Sequence, residues 1–186
     1  PQVSLLVLTG SLPAGLDDGF YAEILSRTGK PVVLDIRGAA LLKCLSYRPW
    51  LVKPNREELA QTVRRPLVTD EELLSAMQEL NAAGAGWVVV SSGSGTLLAT
   101  HQTRGWRITP PQVNVVNPIG CGDCLTAGLA SAVWDNLQRS EDQLSAAQLA
   151  RAVAIASDNA TQLLPARIDL QRVAVLQSRV IVEQIR

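Results

Sequence analysis

Four short apolar runs separated by helical patterns constrain this chain more than any other feature. They are residues 4–9 (SLLVLT), 31–35 (PVVLD), 50–53 (WLVK) and 87–91 (WVVVS). Runs this short and this continuous read as strands buried on both faces. Strands of that kind belong in a parallel sheet, where each crossover helix carries the chain back and covers the sheet. The intervening segments supply such helices. Phe20, Tyr21, Ile24 and Leu25 share one helical face, with Asp17 or Asp18 available as cap and Gly29 as a left-handed terminator. Residues 39–45 make a brief helical turn. Thr69 and Glu72 form a capping box ahead of Leu73, Leu74, Met77 and Leu80, in a helix ending near Gly84. The expected fold is α/β: a mostly parallel sheet with helices on both faces.

The alternation breaks after residue 91. Residues 96–100 and 106–109 are strand-like but too close together for a crossover helix, so they are expected to pair as a small antiparallel hairpin. A glycine-rich turn at Gly120–Gly122 precedes a helix to about Trp134, and Ser145 with Gln148 opens another through Leu149, Val153 and Ala156. Residues 179–185 suit an edge strand. No repeat, low-complexity tract or linker interrupts the chain, so residues 1–186 are expected to form one α/β domain. With 47% hydrophobic residues it can bury a core.

Seventeen basic residues balance seventeen acidic ones, so no net field draws the chain to nucleic acid or to an anionic membrane. A phosphate would have to be held by local geometry. No apolar run approaches the roughly 20 residues of a spanning helix. Cys44, Cys121 and Cys124 are too few for a disulfide scaffold and suit a reducing, cytoplasmic setting.

The chemistry concentrates in residues 110–123 (PPQVNVVNPIGCGD). A β-like run meets a turn of small residues and then a helix start, so backbone N–H groups and the positive helix end converge where a phosphate can bind. Asp123, in the first helical turn, can reach a hydroxyl beside that phosphate. Taken alone, G-x-G-D also suits a simple helix cap. Four other segments accompany it. Residues 51–59 (LVKPNREEL) set Asn55 and Glu58 three apart on a first helical turn. Residues 88–95 (VVVSSGSG) run a strand into a turn, and residues 10–15 (GSLPAG) with 33–38 (VLDIRG) form strand ends.

Together these segments resemble the PfkB (ribokinase-like) carbohydrate kinases, whose signatures include G-A-G-D, K-P-N-x-x-E-L and G-S-L-P-x-G. The P-P-x-V-x-V-V-N stretch is similar to the subgroup acting on phosphorylated sugars, the 1-phosphofructokinases and tagatose-6-phosphate kinases. The resemblance implies an ATP- and Mg²⁺-dependent kinase in which Asp123 is the general base toward a sugar hydroxyl. The amides of Gly120, Cys121 and Gly122 would form the anion hole, with Cys121 in place of the family's alanine. Asn55 and Glu58 would hold magnesium through water. Lys53, Asn55, Glu58, Ser91, Gly93, Gly95 and Asn159 make up the implied nucleotide-binding set. Ser92 and Thr96 depart from the family's S/T-L-G-x-x-G turn, and Arg37 stands at a usual serine. The family's sugar-binding carboxylate and small β-sheet lid have no counterpart in these residues. The chain is therefore expected to be the carboxy-terminal, ATP-binding part of a longer kinase, able to form a homodimer.

Two other classes fit parts of the sequence. Cys121-Gly122-Asp123-Cys124 is a C-x-x-C at a helix start, as in thiol oxidoreductases, although this leaves the K-P-N-x-x-E-L and P-P-x-V-x-V-V-N segments unexplained. A nucleotide-binding protein without catalysis fits the same motifs as the kinase. A zinc site from Cys121, Cys124, Cys44 and His101 lacks ligand spacing, and His101 is expected to be a strand or loop residue without a chemical duty.

Overall fold

In the computed structural model, which describes residues 3–185, the α/β alternation is present as expected. The elements are β1 (Leu6–Thr9), α1 (Phe20–Thr28), β2 (Val32–Asp35), α2 (Gly38–Cys44), β3 (Leu51–Val52), α3 (Arg56–Val63), α4 (Asp70–Ala82) and β4 (Trp87–Val90). They continue with β5 (Leu97–His101), β6 (Arg104–Thr109), α5 (Cys121–Arg139), α6 (Ala146–Ala160), α7 (Leu170–Gln177) and β7 (Ile181–Gln184). The seven strands form one sheet in chain order. Parallel pairing links β1 to β2, β2 to β3 and β3 to β4, and β4 pairs antiparallel with β5 from Trp87↔His101 to Val90↔Leu98. Only two residues join β5 to its neighbour β6, a connection that antiparallel strands alone allow. The expected hairpin is therefore present, and β7 closes the sheet as its edge strand.

The chain divides into two compact units. The first runs to Gly93 and takes in Leu98–Trp106 and Ile185. Its core is built on strands with no exposed face: Val33, Leu34, Leu51, Val52, Val88 and Val90 are all fully buried. Leu41, Leu59 and Met77, from α2, α3 and α4, share a cluster with Leu34, Val52, Val88 and Val90. Trp87 stacks on His101 and Trp106, with centroids 4.9 and 4.8 Å away, so His101 is a buried strand residue packed on a ring.

The second unit comprises Ser94–Leu97 and Arg107–Gln184. Helices α5 and α6 approach so closely that a Cβ on Gly128 would sit 2.8 Å from the Ala152 Cα. Helix α7 buries Val173 and Leu176 against Ile155 and Ala154. This helix escapes the sequence pattern because only two of its eight residues are buried. Its start is signalled by Asp169, whose carboxylate accepts from the amides of Gln171 and Arg172.

Two local expectations are corrected. Neither Asp17 nor Asp18 caps α1; the N-cap is Gly19, and Asp17 accepts from the Gly19 amide in the turn before it. Residues 110–118 are not a strand. Pro110, Pro111 and Pro118 have no N–H to give a ladder, while the Val116 and Asn117 amides both turn to the Ala160 carbonyl, at 2.8 and 3.0 Å.

Gly84 and Gly93 separate two kinds of glycine constraint. At Gly84 (φ +131°) a Cβ would lie 2.1 Å from the Leu45 carbonyl oxygen, whereas at Gly93 (φ +58°) nothing lies within 4 Å. Gly84→Ala should destabilise by about 3 kcal/mol or more, strain and overlap combined, and Gly93→Ala by about 1 kcal/mol. Urea unfolding of both variants checks the difference, and equal midpoints would contradict it.

Candidate nucleotide-phosphate site

The start of α5 differs from most helix starts in this chain. Helices α3, α4, α6 and α7 each place a side chain on their first amides, through Asn55, Thr69, Ser145 and Asp169. Helix α5 is the longest, at 19 residues, and carries no side-chain cap. Its N-cap, Gly120, sits at φ +82° and ψ −2°, a left-handed conformation suited to glycine. The Cys124 amide opens the helical ladder on the Gly120 carbonyl at 2.8 Å. The Cys121 amide turns back to Pro118 at 3.3 Å, which takes it out of the expected anion hole. Gly122 and Asp123, both exposed, supply the remaining first-turn donors, which have no intrahelical acceptor. The Asp123 side chain therefore stands in solvent on the positive end of a long helix.

Behind this turn lie two side-chain amides, half-buried Asn117 and fully buried Asn159. Asn117 accepts from the Ile119 amide at 3.0 Å and donates to the Leu163 carbonyl at 2.9 Å. Asn159, fully buried at the end of α6, donates from Nδ2 to the Ile119 carbonyl at 2.9 Å and to Cys121 Sγ at 3.3 Å. Its Oδ1 accepts from the Ala166 amide at 2.7 Å. With both ends engaged inside the protein, Asn159 supports the turn from behind. Asp158, also fully buried, accepts from the Asp169 amide at 2.7 Å and from Gln162 at 3.3 Å. Its other oxygen lies 3.2 Å from Arg172 Nε as an ion pair without hydrogen-bond alignment. The roles of Asn117 and Asp158 were missed in the sequence. The one signal was a polar pair, Asp158-Asn159, following the apolar stretch 152–156 of the same helix.

In the first unit, residues from the carboxyl ends of β1, β2 and β3 form a second polar cluster. Lys53 is 3% exposed and lies 3.2 Å from Asp35, so it is neither a surface lysine nor a free phosphate ligand. Asn55 and Glu58 are reciprocally bonded: Asn55 Oδ1 accepts from the Glu58 amide at 2.8 Å, and Glu58 Oε2 accepts from the Asn55 amide at 2.9 Å. Glu58 Oε1 accepts from Arg37 at 3.2 Å, and Arg37 also donates to Ser11 at 3.3 Å. Ser91 bridges to Asn55, and its carbonyl accepts from the Arg56 amide at 2.9 Å. Gly93 takes a left-handed turn conformation, whereas Gly95 keeps a negative or extended φ.

Among the described residues, no group of three His, Cys, Asp or Glu is placed to hold a metal, and no helix is long and apolar enough to cross a membrane. A single carboxylate suits magnesium, which keeps several waters and is often held through them. An open cavity of about 610 Å³ lies beside α7, between Asn114, Val116, Arg172 and Arg179, and includes none of the expected site residues.

Of the two cysteines of the C-x-x-C, Cys121 is half-buried and Cys124 is buried. Burial pushes the Cys124 thiol up, helped by the charges of Cys121, Asp123 and Asp158.

The open sheet with its uncapped glycine turn defines an α/β protein of the ribokinase-like class. A model of the pfkB family of carbohydrate kinases matches residues 1–167, and the chain belongs to that family. Solved structures agree. Phosphofructokinase-2 from Escherichia coli, in complex with potassium, is 26% identical with a TM-score of 0.80, over 94% of this chain and 56% of that one. A Staphylococcus aureus protein provisionally described as a phosphofructokinase has a TM-score of 0.83 at 24% identity, over 97% of this chain and 57% of that one. A Thermotoga maritima protein provisionally described as 1-phosphofructokinase reaches 0.79 at 20% identity, over 99% and 58%. The chain thus spans little more than half the length of these proteins.

Burial raises the Cys44 thiol from its ordinary 9.0 to about 11. The folded thiol stays protonated while the unfolded one ionises, so this contribution is intact below pH 9 and is lost as pH rises toward 11. Urea midpoints measured between pH 8 and 10.5 should fall more steeply for the wild type than for Cys44→Ala. Parallel curves would contradict the assignment.

Proposed function

We propose that this chain is the ATP-binding part of a carbohydrate kinase that transfers the γ-phosphate of ATP to a hydroxyl of a sugar or sugar phosphate. The observation that carries this reading is the uncapped α5 start, with exposed Asp123 in its first turn. Free amides and the positive helix end suit the phosphates of a nucleotide. A carboxylate held beside them can accept the proton of an attacking hydroxyl. Phosphoryl transfer rests on positioning and charge stabilisation, so a small constellation of this kind supplies much of what the reaction needs.

The donor set also fits magnesium held through water, with Glu58 as the carboxylate and Asn55 fixing its geometry. Bound there, the ion would neutralise phosphate charge. For that to happen, Glu58 must share or exchange its contact with Arg37, a half-exposed pair worth no more than about 1 kcal/mol. A second reading, nucleotide binding without catalysis by this chain alone, is favoured by its covering 57% of the S. aureus relative.

The test begins with calorimetric titration of the chain with ATP and magnesium. Kinetics of the full-length protein follow. Asp123→Asn should keep nucleotide affinity and lower kcat by about 10² to 10⁴-fold. Glu58→Gln should instead raise the magnesium concentration needed for half-maximal rate. Near-normal turnover by Asp123→Asn would reduce the aspartate to a helix-start residue and end the kinase assignment of this site.

A further inference from the structure

We propose that Asn159 is a positioning residue for the phosphate-binding turn and that Cys121 is its dedicated acceptor, the two locking the 161–166 loop to the start of α5. The inference rests on the kinase reading only where it names phosphate as the ligand. The orientation of the amide follows from its partners. Ala166 offers an N–H, so the atom facing it at 2.7 Å must be the oxygen; Ile119 offers a carbonyl, so the atom 2.9 Å away must be the nitrogen. The nitrogen carries two hydrogens. Ile119 takes one, and the other points to Cys121 Sγ at 3.3 Å.

Asn159 is fully buried, so its second amide hydrogen relies on the one acceptor beside it, the sulfur of half-buried Cys121. An alanine at 121, the residue of the family's G-A-G-D, would remove the sulfur and leave that hydrogen without its acceptor. The cysteine is therefore more than a small-for-small replacement: it completes the bonding of a buried amide.

The same amide fixes the turn from behind. Gly120 fits so tightly that an added Cβ would lie 3.2 Å from Pro165 and 3.3 Å from the Ala166 amide. Asn117 ties Leu163 to the same turn. Ala166 takes a left-handed φ of +57°, so the loop is held in a conformation that alanine does not favour. Asn159 thus joins two segments, and the orientation of the Gly122 and Asp123 amides depends on the loop being docked.

Amide hydrogen exchange on this chain tests the lock without requiring activity. Cys121→Ala should raise exchange about tenfold across residues 119–124 and 165–166, the effect of one buried donor losing its partner, while the rest of the chain keeps wild-type protection. Cys121→Ser, which restores an acceptor, should return it most of the way. Asn159→Ala should exceed both, and if it fails to fold, the two Cys121 variants decide the matter. Unchanged exchange at the turn in Cys121→Ala, or a uniform rise over the chain, overturns the proposal. Titration with ATP forms a separate arm. Affinity falling in the order wild type, Cys121→Ser, Cys121→Ala supports a positioning role toward phosphate, and equal affinities overturn it. A wild-type chain that binds no ATP refutes the kinase reading and the phosphate role, while exchange still decides the lock.

Discussion

Complete burial of the central parallel strands is the constraint on which the first unit depends. With both faces of β2, β3 and β4 removed from water, every strand must be short, fully laddered and covered by helices. Polar residues can appear only where the strands end. Asp35 closes β2 and Lys53 follows β3, and both emerge at the margin of the core. There the lysine is almost wholly buried, and an unpaired charge would be costly, so the two are held 3.2 Å apart. The ion pair follows from the sheet, and it explains why a lysine preceding a motif proline does not face outward.

The second unit shows the opposite economy. Its longest helix leaves its first amides without a side-chain partner, although Ser, Thr, Asn and Asp perform that duty at four other helices. Local stability at this end is therefore borne from behind, by the Asn117 and Asn159 amides. This arrangement keeps the front of the turn open while fixing its backbone, the combination that a preorganised anion site requires.

What was legible in the sequence was local. The boxes of Thr69 with Glu72 and Ser145 with Gln148 span three residues, so spacing alone specifies them, and both form. The parallel character of the sheet was legible because its first four buried runs alternate with helical segments. The burial of Lys53 and Asn159 was not legible, because burial is decided by segments far away in sequence. Asn159 meets partners 40 and 38 residues before it, and no periodicity encodes those contacts. Residues 110–118 misled in another way, since alternating valines mimic a strand while the flanking prolines deny it donors.

Arg37 shows how a departure from the family's pattern can be absorbed. An arginine in the place of a serine invites a reading as a phosphate grip or as an idle loop residue. Its guanidinium instead spans Ser11 and Glu58, joining the segment after β1 to the start of α3. Glu58 keeps its bond to the Asn55 amide on the other oxygen, so the capping geometry of α3 survives the added partner. The Arg37 and Glu58 side chains are 50% and 23% exposed, and solvent screens such a pair enough for either member to change partner at little cost. The substitution therefore alters the charge beside Glu58 without altering the helix start on which the motif depends.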